Sequence, residues 1–211
     1  ATHAVIALVT GGHLLLDDVP GTGNTTFAKV LADTLGFDTS RLQCTPDLLP
    51  SDVTGVGVWN PGDGSFSFRP GPVFTNILLV DEINRATPKA QAALLEAMAE
   101  RQVTTDGVTR ALKTPFLVVA TQNPVESVGT YALPEAQLDR FALCTSLGYP
   151  SHDDAVRMVL QHRVPWAPAG PVISRDDVFS MMAATEAVHI SQNLASYIAT
   201  FVEATRSHPL V

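Results

Sequence analysis

Four apolar residues in succession, Ile77 to Val80, stop abruptly at two adjacent acids, Asp81 and Glu82, within the segment NILLVDEINR (76–85). A run so short and so uniformly apolar reads as a buried strand, the kind found in a parallel sheet covered by helices. The covering helices are legible nearby. Thr87-Pro88 opens one, because threonine can cap and proline suits the first turn, and Ala90, Leu94, Ala97 and Met98 give it an apolar stripe. Phe27, Val30, Leu31 and Leu35 recur at helical spacing after a Gly-rich turn, PGTGNTT (20–26), which is itself fed by the apolar run His13 to Leu16. Arg41 to Thr45 and Phe116 to Ala120 read as further strands. Strands alternating with helices predict an α/β fold built on a parallel sheet.

Two inserted hairpins interrupt that frame. GVGVWNPGDGSFSFRPG (55–71) alternates on either side of Asn60-Pro-Gly-Asp-Gly64, and residues 102–113 flank Asp106-Gly107, a strong two-residue turn signal. Trp59 and Phe66 are candidate contacts for a client; Phe66, alternating with polar neighbours, is expected to pack against its own subunit. After Tyr149-Pro150 only helical segments follow. Ser151 with Asp154, and Ser174 with Asp177, have capping-box spacing, and a Pro-rich connector, Val164 to Pro171, separates the first of these helices from the rest. We therefore expect an α/β domain over residues 1–149 and an incomplete helical lid subdomain over 150–211. Ala1 to Val9 reads as the tail of a helix, and both ends read as cuts.

With 211 residues, 45% of them hydrophobic, the chain can bury a core without a metal or disulfide staple. Cys44 and Cys144 sit in apolar runs and are expected as reduced core residues of a cytoplasmic protein. No apolar stretch approaches the roughly 18 residues that cross a bilayer, and the start lacks a signal-peptide pattern, so the expectation is a soluble body without membrane insertion. The net charge of −8 is spread, with no basic stripe, which argues against nucleic acid as a partner. The histidines have no metal-ligand spacing.

A strand feeding a Gly-rich turn and then a helix is what phosphate binding needs, since glycines let backbone N–H groups converge on an anion at a helix N-terminus. Against the pattern G-x-x-x-x-G-K-[ST], Gly23 and Thr25 match, whereas Asp18 stands at the first glycine and Asn24 at the lysine. A tight turn with an ordinary threonine cap explains this segment equally well by itself. The acids downstream shift the balance. Asp81 and Glu82 belong at the carboxyl edge of the sheet beside the turn, where one could hold Mg²⁺ together with the Thr25 hydroxyl and the other polarise water. Thr121-Gln122-Asn123 ends the next strand and brings a polar amide, Asn123, to the same edge, although asparagine before proline is also a plain turn former.

The strings FRPGPVFTNILLVDEINRATPKAQAALLEAMAERQVT (68–104) and VVATQNPVESVGTYALPEAQLDRF (118–141) resemble the AAA-plus ATPases, and among them the MoxR group. With the turn, the likeness covers most of residues 11 to 165. The resemblance implies a P-loop NTPase (AAA+) sheet flanked by helices, inserted β-hairpins, a helical lid and a hexameric ring. It implies ATP held by Pro20, Gly21, Thr22, Gly23, Asn24, Thr25 and Thr26, with Mg²⁺ at Thr25 and Asp81. Glu82 would be the Walker B glutamate, Asn123 the first sensor, and Arg140, in LPEAQLDRF, the arginine finger that reaches a neighbouring subunit's ATP. Without that likeness an intrachain ion pair would be the default for Arg140. The family also suggests remodelling or maturation of protein complexes, often beside a partner with a von Willebrand factor A domain.

Asn24 departs from the family pattern. A neutral amide replaces a full charge against the terminal phosphates, and a hydrogen bond to a charged group is worth roughly 1.5–3 kcal/mol, or about ten- to a hundredfold in binding. Hydrolysis is expected to suffer more, because charge must be stabilised in the transition state. Lys29 lies about 7.5 Å along the helix and about 140° around it from Asn24, too far round to compensate. The resemblance also places a second sensor arginine in a later lid helix, and an adenine-flanking segment before the first strand, neither within these residues. A non-hydrolysing nucleotide-binding scaffold is therefore the alternative of another class. A magnesium chelatase-like ATPase subunit shares the layout, and a DNA-directed motor is disfavoured by the charge.

Overall fold

The computed structural model describes residues 2–18, 23–62, 64–123, 129–161 and 170–207, with the backbone alone at 25, 161 and 207. Helix α1 (Thr2–Val9) precedes strand β1 (Leu14–Asp17), and α2 (Asn24–Leu35) leads to β2 (Thr39–Gln43). A short helix α3 (Pro50–Thr54) opens the first hairpin, β3 (Gly55–Asn60) and β4 (Ser65–Pro70), before β5 (Ile77–Asp81) and a single 3₁₀ turn at Ile83–Arg85. Helix α4 (Pro88–Glu100) is followed by the second hairpin, β6 (Gln102–Thr105) and β7 (Val108–Ala111), then β8 (Leu117–Gln122), α5 (Glu135–Leu138) and β9 (Leu143–Thr145). Helices α6 (His152–Gln161), α7 (Arg175–Glu186) and α8 (Gln192–Ser207) close the described chain.

Five strands pair in the order β2-β5-β8-β1-β9, every ladder parallel, and each hairpin forms its own two-stranded sheet. One apolar cluster fills the side of the sheet carrying α4, with Leu78, Val80, Leu94 and Met98; a second joins α1 and α2 to Leu14, Leu79 and Val119 on the other. Both faces of β5 and β8 are thus covered, which explains their unbroken apolar runs. Val178 of α7 is fully buried in the second cluster, and Arg175 Nε donates to Gly36 O at 3.0 Å, so α7 packs on the α/β body.

The expected caps form. Thr87 Oγ1 accepts from Ala90 N at 3.4 Å, and Ser174 and Asp177 exchange both bonds of a capping box. Asp106 and Gly107 both take positive φ, as a two-residue hairpin turn of this kind requires. Two expectations change. Phe66 does not pack into its own body: it is 74% exposed and touches Trp59, its cross-strand partner, with ring centroids 5.0 Å apart. The alternation set the face correctly, but the outer half of this hairpin has no core beneath it. Cys44 is buried as expected, whereas Cys144 is exposed, because β9 is a margin strand and only part of it is covered. β9 itself, with three residues, is too short to stand out in the sequence. The Pro-rich connector lies mostly outside the described residues. Among those described, no helix is long and apolar enough to cross a membrane.

His13, which precedes β1, is 3% exposed and bonded at both ring nitrogens. Its Nδ1 accepts from Val118 N at 3.0 Å, leaving Nε2–H to donate to Met98 O at 3.3 Å. Burial, reinforced by the charge of Arg101, lowers its pKa from 6.5 to about 4. The unfolded chain therefore takes up this proton first on acidification. The contribution to stability is complete above pH 6.5 and is lost as pH falls towards about 4. Between those limits urea denaturation should show stability falling by about 1.4 kcal/mol per pH unit on this account, and His13→Gln should remove that component of the slope.

Candidate active site

Parallel register brings the strand ends to a common edge. Asp17 of β1 aligns with Gln122 of β8, Val80 with Ala120, and Gln43 of β2 with Asp81. Beyond that edge α2 begins at Gly23, which caps it with φ 96° and ψ 14°, a left-handed conformation that favours glycine. Between the start of α2 and the edge lies a cleft of about 330 Å³. It is lined by Gly23, Asn24 and Thr26 from the turn and helix, by Asp81 and Glu82 after β5, and by Thr121, Gln122 and Asn123 after β8. Asp18, Arg41 and Gln43 complete it.

Of the residues singled out in the sequence, Gly23, Asn24, Thr26, Asp81, Glu82 and Asn123 thus share one cavity. Pro20, Gly21 and Thr22 lie outside the described residues, as does the side chain of Thr25. Arg140 stands apart from the cleft, exposed, in a surface depression shared with Glu96 and Glu100 of α4 and Gln137 of α5. Lys29 faces a separate groove with Thr39 and Ile77, in keeping with its position around the helix.

The acids are held from several sides. Asp81 is 6% exposed, and Arg41 Nε donates to its Oδ2 at 2.6 Å. Glu82 Oε2 accepts from Gln43 Nε2 and from Arg85 Nη1, each at 3.3 Å, while Glu82 N donates to Thr121 Oγ1 at 2.9 Å. Glu82 also takes φ 56° and ψ 53°, a left-handed conformation uncommon for a residue with a Cβ, and one that clusters at functional sites. Asn84 Nδ2 donates to Asn123 O at 3.2 Å, coupling the turn after β5 to the end of β8. Burial, with the charges of Asp81 and Glu82 adding to it, pushes the Cys44 thiol up to about 12, so this cysteine stays protonated and is no nucleophile.

Asp18, the departure from the glycine pattern, has a structural task. Its buried Oδ2 accepts from Leu147 N at 2.6 Å and Gly148 N at 3.3 Å, fastening the exit of β1 to the segment after β9. Arg41 and Gln43 were not singled out in the sequence. Their alternation with Leu42 and Cys44 was the available signal, because it sets both on one face of a strand, and register with β5 then brings them to the acids.

Among the described residues no cluster of three or more His, Cys, Asp or Glu could hold a metal by itself. A cation here would share Asp81 with ligand phosphates and water, as Mg²⁺ commonly does. That Asp81 already carries a guanidinium shows that the cleft accommodates positive charge at this carboxylate.

A parallel sheet in this strand order, with a Gly-capped helix and paired acids at its carboxyl edge, defines a P-loop fold of the AAA+ class. The sequence profile of the ATPase family associated with various cellular activities (AAA) matches residues 13–143, and the chain belongs to this family. Within it the chain falls in the MoxR group. It is 42% identical to chaperone MoxR1 of Mycobacterium tuberculosis over 96% of its own length and 54% of the relative's. The uncharacterized protein YeaC of Bacillus subtilis is 49% identical over the whole chain and 67% of its own length. A solved structure from Cytophaga hutchinsonii, provisionally assigned as an ATPase, superposes with a TM-score of 0.84 at 44% identity, covering 95% of this chain and 62% of that one. The chain thus spans about half to two thirds of the proteins it matches.

Replacing Asp18 by alanine strands two backbone donors, a loss of about 1–3 kcal/mol. Thermal melting followed by circular dichroism should show the midpoint lowered by roughly 3–10 °C for a chain of this size.

Proposed function

We propose that this chain is the ATP-binding and ATP-hydrolysing module of a hexameric, chaperone-like machine that remodels or matures protein complexes in the cytoplasm. The observation that carries this reading is the convergence of Asn24, Asp81, Glu82 and Asn123, far apart in sequence, on one cleft at the start of α2. In this reading residues 1–149 form the nucleotide-binding domain and 150–211 its helical lid. Backbone N–H groups of the turn 20–26 meet the phosphates at the N-terminus of α2. Asp81 and the Thr25 hydroxyl hold Mg²⁺, which when bound neutralises charge on the phosphate oxygens. Glu82 takes the proton of the attacking water, and Asn123 orients that water. Arg140, exposed and away from its own cleft, acts in the cleft of the next subunit, where its guanidinium neutralises charge on the transferred phosphoryl. A von Willebrand factor A domain protein is the proposed adaptor to the clients. The relative named a chaperone supports the chaperone-like part of this reading.

One observation favours a second reading, a nucleotide-binding scaffold that does not hydrolyse. Asn24 lines the cleft where the pattern has lysine, and Lys29 faces another groove. Steady-state ATP turnover separates the two. Turnover by the unmodified chain should rise about tenfold or more in Asn24→Lys and fall about a hundredfold or more in Glu82→Gln. Nucleotide binding without turnover in the unmodified chain selects the scaffold. No binding and no turnover in both the unmodified chain and Asn24→Lys rejects both readings.

A further inference from the structure

Asn24 leaves the cleft short of the positive charge that a polyphosphate needs. Among the described residues that line it, Asp18, Asp81 and Glu82 are acids and Arg41 is the one cation. Arg41 stands on β2, the margin strand, and its side chain is 52% exposed, so its guanidinium can change partners without giving up a buried position. Its present partner is Asp81 Oδ2 at 2.6 Å, with Nη2 donating to Gln43 Oε1 at 3.1 Å. That carboxylate is the one the proposed function gives to Mg²⁺. A divalent cation and a guanidinium repel each other at a single carboxylate, and phosphate oxygens offer the guanidinium an acceptor of matching fork geometry.

We propose that Arg41 is the phosphate-binding cation of this cleft. Its contact with Asp81 holds the guanidinium at the mouth of the cleft; with a magnesium–nucleoside polyphosphate bound, Asp81 would serve the metal and the guanidinium would pair with the terminal phosphates. Arg41 thereby supplies from the sheet edge the charge that Asn24 does not supply from the turn. The inference rests on the reading of the cleft as a phosphate site.

Fluorescence anisotropy with labelled AMP, ADP and a non-hydrolysable ATP analogue, in the presence of Mg²⁺, tests it. Arg41→Gln should weaken the ATP analogue about tenfold or more and leave AMP within about twofold. In an Asn24→Lys background the same substitution should cost less than about threefold, because the lysine already supplies the charge. Should Arg41→Gln melt early, Arg41→Lys, which keeps the charge, is decisive: it should retain the preference for ATP over AMP, and its loss overturns the inference. Unchanged ATP affinity in Arg41→Gln, or an equal loss for AMP and ATP, also overturns it while leaving the phosphate site standing. Failure of the unmodified chain to bind any of the three removes the phosphate site and this inference together.

Discussion

Parallel pairing of β5, β8 and β1 is the constraint on which the rest of the molecule depends. In a parallel sheet all carboxyl ends emerge on one side, so residues some forty positions apart become neighbours without any further design. Asp81 follows from β5, Asn123 from β8 and Asp18 from β1, and the start of α2 closes the space between them. The apolar runs that make the strands pair also set the site, because moving β8 by one residue would turn its apolar side chains over and shift the amides at its end.

The two acids are held by different means. Asp81 is almost wholly buried and would be costly to leave unpaired; Arg41, itself half in water, compensates it at a smaller loss of hydration than a buried pair would incur. Glu82 is held by its backbone on Thr121, and its side chain is steadied by Gln43 and Arg85. The left-handed backbone at Glu82 fits the same pattern, for the surrounding bonds over-determine a conformation that a free chain would avoid.

Much of this was legible in the sequence, for identifiable reasons. Ile77 to Val80 could be read because a strand covered on both faces has no polar interruption, and the helix after Thr87-Pro88 because its cap and stripe agree. Asp81, Glu82 and Asn123 were legible as strand ends. Phe66 was misjudged because alternation tells which face a side chain takes but not whether anything covers that face. Cys144 went the same way at the sheet margin. Arg41 was missed because its importance lies in what β5 places opposite it, and pairing between strands is a property of the fold that no local spacing records. Asp18 looked like a tolerated exception; its bonds to Leu147 and Gly148 span some 130 positions and have no sequence signature.

The two margins of the sheet differ from its middle. β9 offers only three residues, and β2 presents Thr39, Arg41 and Gln43 in alternation, a polar and charged border. Short or charged margins resist the addition of a foreign strand. Copies of this chain that meet at high local concentration are thereby steered away from edge-to-edge fusion into continuous sheets.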